Sequence, residues 1–230
     1  MLYLAIKTRP DILYAVNRLS QYTSNPGDMQ FKELNKLWGY IKQYPDLVIE
    51  YNCNLDQYIL NKDNIKALSL KGYCDSDWAS NLDNRRSQSA YIFLFGNNII
   101  SWNSISQKTI ALSSTEAEYM ALKEASKEAI YLYNMLKTIK SMLNNTSSIY
   151  LELVPILEDN NGAKCLSYNP EYHKRTKHID IAYHFTREAI SNNYIQVLSI
   201  RSKDQLANCL TKATITLQTF EKFKWDIGLR

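Results

Sequence analysis

The spacing of apolar residues along this chain changes character near residue 63. Before that point Ile12, Val16 and Leu19 share one face of a helix that Pro10 can open. Asn25-Pro26-Gly27-Asp28 then breaks the run, and a second amphipathic stretch ends near Tyr44-Pro45. The polar stretch from Asn52 to Asn64 reads as a loop or irregular hairpin. Beyond it the pattern predicts strands over roughly 67–74 and 87–95, a turn at Gly96-Asn97-Asn98, a strand over roughly 99–104 and a helix over about 114–141. A strand closing at Asp159 follows, then a short helix, a helix over roughly 178–192, a strand from Tyr194 to Ile200, and helices over about 203–212 and 216–226. Pro155 suits a central strand poorly, so that strand is expected to begin at Ile156 or to bulge. The order implies an α/β arrangement with antiparallel strands first and crossover strands later. It also divides the chain into a mainly helical segment, residues 1–62, and an α/β domain with a helical tail, residues 63–230.

Composition narrows the class without naming a function. At 230 residues and 45% hydrophobic the chain can build one substantial core. The net charge of +4 permits a polyanionic partner without requiring one. Cys53, Cys74, Cys165 and Cys209 form no C-x-x-C pair and lie beside apolar or aromatic neighbours, as buried thiols in a reducing compartment would, so neither a disulfide framework nor a zinc site is supported. The apolar opening Met1–Ile6 is followed at once by Lys7, Arg9 and Asp11, which is not the layout of a signal peptide. With no transmembrane stretch either, the expectation is an intracellular protein that does not engage a membrane.

Three acids stand at the mouths of predicted elements. Asp75 and Asp77 occupy the segment Lys71-Gly72-Tyr73-Cys74-Asp75-Ser76-Asp77-Trp78-Ala79, at the apparent end of an apolar strand and on one side of it. Glu118, in Ser113-Ser114-Thr115-Glu116-Ala117-Glu118-Tyr119, shares its helical face with Leu122, Ala125, Ala129 and Leu132, so it points toward the core. An ionised carboxylate aimed inward costs several kcal/mol unless a cation receives it. Glu116 has a plainer role, completing a capping box with Ser113. Asp159 ends an apolar run just before a helix, where open α/β sheets place ligands. A converging Asp/Glu set is the ligand inventory that magnesium prefers. The two aspartates taken singly also fit turns and caps. Trp78 and Trp102 are expected to pack in the core.

Longer motifs carry a resemblance. Arg86-Ser87-Gln88-Ser89-Ala90-Tyr91-Ile92-Phe93, Ile100-Ser101-Trp102, Ala111–Ala121, Thr176–Phe185 and Leu206-Ala207-Asn208-Cys209-Leu210-Thr211-Lys212 resemble the ribonuclease H domain of copia-type retrotransposon polyproteins. Thr8-Arg9-Pro10-Asp11-Ile12-Leu13-Tyr14-Ala15-Val16 is similar to the tail of the reverse transcriptase region that precedes it, so residues 1–62 would be the remnant of that region. The resemblance implies a ribonuclease H-like fold, with a five-stranded mixed sheet and the long helix packed on it. It implies a site of Asp75, Glu118, Asp159 and a fourth position, holding two Mg2+ ions, with Mn2+ as a substitute, and hydrolysing the RNA strand of an RNA/DNA hybrid. At the fourth position the family usually carries Leu-Ala-Asp, whereas here Leu206-Ala207-Asn208 supplies a neutral amide and one negative charge is lost. Asp204, one turn earlier, fits a helix N-terminus better than a replacement ligand.

The basic run His173-Lys174-Arg175-Thr176-Lys177-His178 is the expected phosphate contact, with Lys174, Arg175, Lys177 and His178 joined by Arg201 and Lys203. Expected partners are the hybrid and, within a polyprotein, the upstream reverse transcriptase domain. The expected place of action is the cytoplasm, in a virus-like particle, or the nucleus. No Asp-Asp pair of the kind a polymerase palm uses occurs in the chain. Asn208 keeps a second class open, a catalytically inactive remnant or nucleic-acid-binding module, while an integrase-like recombinase fits the order of the acids less well.

Overall fold

In the computed structural model, residues 1–51, 59–60, 66–143, 149–151, 153–169, 177–213 and 215–230 are described. The helices are α1 (Leu2–Lys7), α2 (Leu13–Ser20), α3 (Asp28–Gln43), α4 (Ser114–Met142), α5 (Asn161–Tyr168), α6 (Lys177–Ser191) and α7 (Leu217–Asp226). The strands are β1 (Ile59–Leu60), β2 (Lys66–Asp77), β3 (Gln88–Phe95), β4 (Asn98–Ser106), β5 (Ile149–Tyr150), β6 (Val154–Glu158) and β7 (Ile195–Ser199). The sheet runs in the order β4-β3-β2-β6-β7, and the two-residue strands β1 and β5 both pair with β2 outside that path. Strands β2, β3 and β4 are antiparallel neighbours, whereas β2 with β6 and β6 with β7 are parallel. This is the five-stranded mixed sheet that the resemblance implies.

Strand alternation divides the core between the two faces of the sheet. Leu70, Cys74 and Phe93 bury one face under Tyr119, Leu122, Ala125 and Ala129 of α4, together with Ala163 and Ala189. Tyr73, Ile92 and Leu94 point the other way, toward Ile12, Leu13, Val16, Leu37, Leu210 and Phe223. Gly72 of β2 makes room for the Phe93 ring of β3, which an added Cβ would meet at 2.5 Å. The N-terminal helices are fastened by a buried polar knot. The Arg9 guanidinium donates to both Asp11 oxygens, at 2.9 Å from Nε and 2.9 Å from Nη2, and to the Tyr44 carbonyl at 3.0 Å, while Tyr40 donates its hydroxyl to Asp11 at 2.8 Å. Thr8–Val16 thus carries a structural anchor as well as a resemblance.

Several expectations are corrected. Strand β2 runs on to Asp77, so Asp75 lies inside the ladder, opposite Ala90, instead of beyond its end. Pro155 is accommodated within β6, because β2 pairs only Gly72 with Ile156 and Tyr73 with Leu157, which leaves Pro155 facing β7 alone. The helix expected over 203–212 is two 3-10 turns, Ser202–Asp204 and Leu206–Leu210. Gln205 between them is extended because its amide donates to the Cys74 and Leu157 carbonyls, at 2.9 and 3.0 Å. Of the capping box only one half forms: Ser113 Oγ accepts from the Glu116 N–H, but the Glu116 carboxylate accepts from the Leu112 N–H. Trp78 is half exposed, its indole N–H donating to the Ala111 carbonyl, and Trp102 is the one that packs on the core. Cys74 and Cys209 are buried and Cys165 is exposed, while Cys53 and most of the loop from Asn52 to Asn64 lie outside the described residues.

Removing one member of the Arg9 knot leaves a buried charge without its partner. Asp11→Ala is expected to destabilise the protein by about 3–5 kcal/mol, measured by urea denaturation. A loss below about 1 kcal/mol, the size of an exposed pair, would count against the knot as an anchor.

Candidate active site

Parallel pairing brings the first and third acids together. Strands β2 and β6 end at the same edge of the sheet in the register Tyr73 with Leu157, and two further residues along each chain are Asp75 and Asp159. Helix α4 starts at that edge, capped by Ser113, so Glu118 projects there from its second turn. Helix α5 closes the corner, its Asn160 side chain capping the Ala163 N–H at 3.0 Å. At Gly162 an added Cβ would sit 2.9 Å from Thr115 Oγ1, so a larger residue would push α5 away from α4. One carboxylate oxygen from each of Asp75, Glu118 and Asp159 lies within 4.8 Å of the others.

The surroundings of each acid differ. Asp75 is fully buried, its Oδ2 accepting from the Thr211 hydroxyl and its Oδ1 accepting from the Lys212 ammonium at 3.1 Å. Burial pushes its carboxyl up to about 6, with Lys212 and Thr211 pulling the other way. Glu118 is 7% exposed, and its Oε2 has no hydrogen-bond partner among the described residues. Burial, then the nearby charges of Asp75, Glu158 and Asp159, push that carboxyl up to about 10. Glu158, directly behind the site, accepts from the Cys74 thiol at 3.2 Å and from the Asn160 N–H at 3.0 Å, and burial raises it to about 8. The three buried carboxyls, Asp75, Glu118 and Glu158, therefore resist full ionisation. The orphaned Glu118 oxygen, aimed at two further oxygen ligands, suits a hard divalent cation, which would draw the protons off these groups as it bound.

The fourth position is arranged differently. Asn208 donates its amide N–H to the Ser202 carbonyl at 2.8 Å, and its Oδ1 accepts from the Lys212 ammonium, which also holds Asp75. Asn208 thus reaches the acids through Lys212. Asp204 pairs with Arg201 and Lys222 near the surface, outside the acid cluster. Of the expected phosphate contacts, Lys203 is exposed and Arg201 is exposed but paired with Asp204 at 2.8 Å. Lys174 and Arg175 lie outside the described residues, and of Lys177 and His178 only the backbone, in the first turn of α6, is described.

Sequence reasoning missed four residues that build this corner: Glu158, Gln205, Thr211 and Lys212. Glu158 had a signal, since strand alternation with Val154 and Ile156 puts it on a buried face. The other three had none, because no local period tells a chain segment that it will lie across two strand ends.

The strand order, with three antiparallel strands followed by two parallel ones and α4 packed on them, is that of a ribonuclease H-like fold. No protein-family model matches the chain. It is 38% identical over 227 residues to the "Retrovirus-related Pol polyprotein from transposon RE2" of Arabidopsis thaliana, covering 99% of this chain and 14% of that protein. It is 34% identical over 229 residues to the corresponding polyprotein from transposon TNT 1-94 of Nicotiana tabacum, covering 100% of this chain and 16% of that protein. Over its full length the chain is thus homologous to retrovirus-related Pol polyproteins of copia-type transposons, and it spans about one seventh of these relatives' length. Among solved structures, RNase H1 from Halobacterium salinarum NRC-1 aligns with a TM-score of 0.43 at 12% identity, over 62% of this chain and 94% of that one.

The raised carboxyls set the pH dependence of stability. Each folded-state value lies above the ordinary carboxylate range, so its contribution is complete at about pH 4 and is lost as pH climbs through about 6 for Asp75, 8 for Glu158 and 10 for Glu118. In chelator the melting temperature is expected to fall between pH 5 and pH 9, with Mn2+ restoring more of it at pH 9 than at pH 5. Glu118→Gln should flatten the fall. A melting temperature that rises over this interval in chelator would contradict the arrangement.

Proposed function

We propose that this chain is the ribonuclease H portion of a retrotransposon polyprotein and hydrolyses the RNA strand of RNA/DNA hybrids with Mg2+ or Mn2+. The observation that carries the reading is the convergence of the buried Asp75 and Glu118 with the partly buried Asp159, Glu118 Oε2 having no hydrogen-bond partner among the described residues. These three acids would hold the ion, which when bound supplies Lewis-acid activation of water and charge neutralisation at the phosphate. In the family's scheme a second ion would be held by Asp75 and the fourth position, where Asn208 offers only an amide.

The chain's own groups do the positioning. Thr211 fixes one oxygen of Asp75, Gln205 ties the ends of β2 and β6 together, and the α4 cap aims Glu118 at the same point. Lys203, with Lys174, Arg175, Lys177, His178 and Arg201, would meet the phosphate backbone, whose neutralisation makes binding fall with salt. Selection of the RNA strand would rest on 2′-hydroxyl contacts and hybrid shape, so cleavage is expected to be largely independent of base sequence. Within a polyprotein the upstream reverse transcriptase domain would deliver the hybrid.

A second reading is supported by Asn208: a binding module that holds hybrid without cutting it. Cleavage of a labelled hybrid in Mg2+ and in Mn2+ separates the two. The wild-type chain is expected to cleave, and Glu118→Gln to lose about two orders of magnitude or more in rate, as removal of one preorganised charged group does. A folded wild-type chain that binds hybrid and leaves it intact would establish the binding module instead.

A further inference from the structure

We propose that Lys212 is a built-in cation standing where a second divalent ion would bind, so that the centre loads a single divalent ion per chain. The inference rests on the divalent-ion reading of Asp75, Glu118 and Asp159 and deepens it. Its basis is the bridging position of one ammonium group. Lys212 Nζ lies 3.1 Å from Asp75 Oδ1 and donates to Asn208 Oδ1, joining the two side chains that an ion at the fourth position would have to share. The other Asp75 oxygen accepts from Thr211, so both of its oxygens carry protein donors. A second ion would have to displace the ammonium or stand against it. At such distances in a partly buried corner, like charges repel by several kcal/mol.

The same geometry accounts for an amide at position 208. Asn208 Nδ2 donates to the Ser202 carbonyl at 2.8 Å, and this hydrogen bond turns Oδ1 toward Lys212. A neutral oxygen satisfies the ammonium without adding another negative charge beside Asp75, Glu118, Glu158 and Asp159. A carboxylate at 208 would instead add a fifth carboxyl to that corner, with the same single ammonium between it and Asp75. Asn208 is thus a positioning residue for Lys212, and Lys212 is one for Asp75, whose side chain is fully buried. The Lys212 side chain itself keeps 35% exposure, so its charged end can answer to a phosphate at the open side of the corner.

The test is the number of Mn2+ ions bound per chain, read by electron paramagnetic resonance in frozen solution with RNA/DNA hybrid present, while cleavage of the same hybrid is scored in parallel. Wild type and Asn208→Asp are expected to bind one isolated Mn2+. The double variant Lys212→Met with Asn208→Asp is expected to bind two and to show the signature of a spin-coupled pair. A coupled pair in the wild type overturns the proposal and leaves the hydrolase reading standing if the hybrid is cut. A single ion in a double variant that circular dichroism shows to be folded also overturns it, because Lys212 would then not be what excludes the second ion. Should the double variant fail to fold, the wild-type and Asn208→Asp counts decide alone, and two ions in either overturn it. No bound Mn2+ in the wild type overturns both this proposal and the divalent-ion reading on which it rests.

Discussion

The burial of Asp75 is the constraint on which the rest of this molecule depends. A carboxyl with no exposed surface, placed two residues before the end of the sheet's central strand, is tolerated only if donors surround it. Thr211 and Lys212 provide them, from a segment 136 and 137 residues further along the chain. That requirement brings the C-terminal turns against β2, and Gln205 seals the same contact through the carbonyls of Cys74 and Leu157. The open end of a parallel strand pair is thereby closed by side chains, with no third strand needed. The two sides of the sheet meet at this point, since α4 delivers Glu118 from one layer and the Leu206–Leu210 turn supports Asp75 from the other.

Holding several carboxyls in such a corner is a conflict that the protein resolves unevenly. Asp75 has a cation and a hydroxyl, Glu158 has a thiol and a backbone N–H, and Glu118 has one oxygen with nothing. The pattern leaves a buried acceptor open at the acid cluster, an arrangement that suits a hard cation. Away from this corner the protein balances its buried charges internally, as the Arg9, Asp11 and Tyr40 knot does. The contrast between a closed polar network and an open one is what separates structural anchor from candidate active site.

Much of the architecture was legible because it is written in local periods. The face of α4 that runs from Glu118 through Leu122, Ala125 and Ala129 to Leu132 is buried as its spacing predicts, and the three-strand meander lies where alternation and the Gly96 turn put it. The misreadings share one cause, which is that a long-range partner overrode a local signal. Residues 203–212 have helical spacing, yet Gln205 is pulled extended by two strand carbonyls. Pro155 argues against a strand, yet it falls where β6 needs no second neighbour. Trp78 has the composition of a core residue, yet its neighbours leave the ring half in solvent.

For the site, periodicity by itself singled out Glu118, because an inward Glu on an amphipathic helix is an exception to its own surroundings, while Asp75 and Asp159 were picked from the strand-end acids by the family resemblance. That resemblance was carried by contiguous motifs. What only the tertiary structure decided is how those acids are held: that Asp75 meets a lysine, that Asn208 faces that lysine before it faces any acid, and that a buried oxygen of Glu118 finds no hydrogen-bond partner among the described residues. Hydrophobic periodicity reports which side of an element is buried, but the partner of a buried charge is set by distance in three dimensions, and no period along the chain encodes a contact across more than a hundred residues.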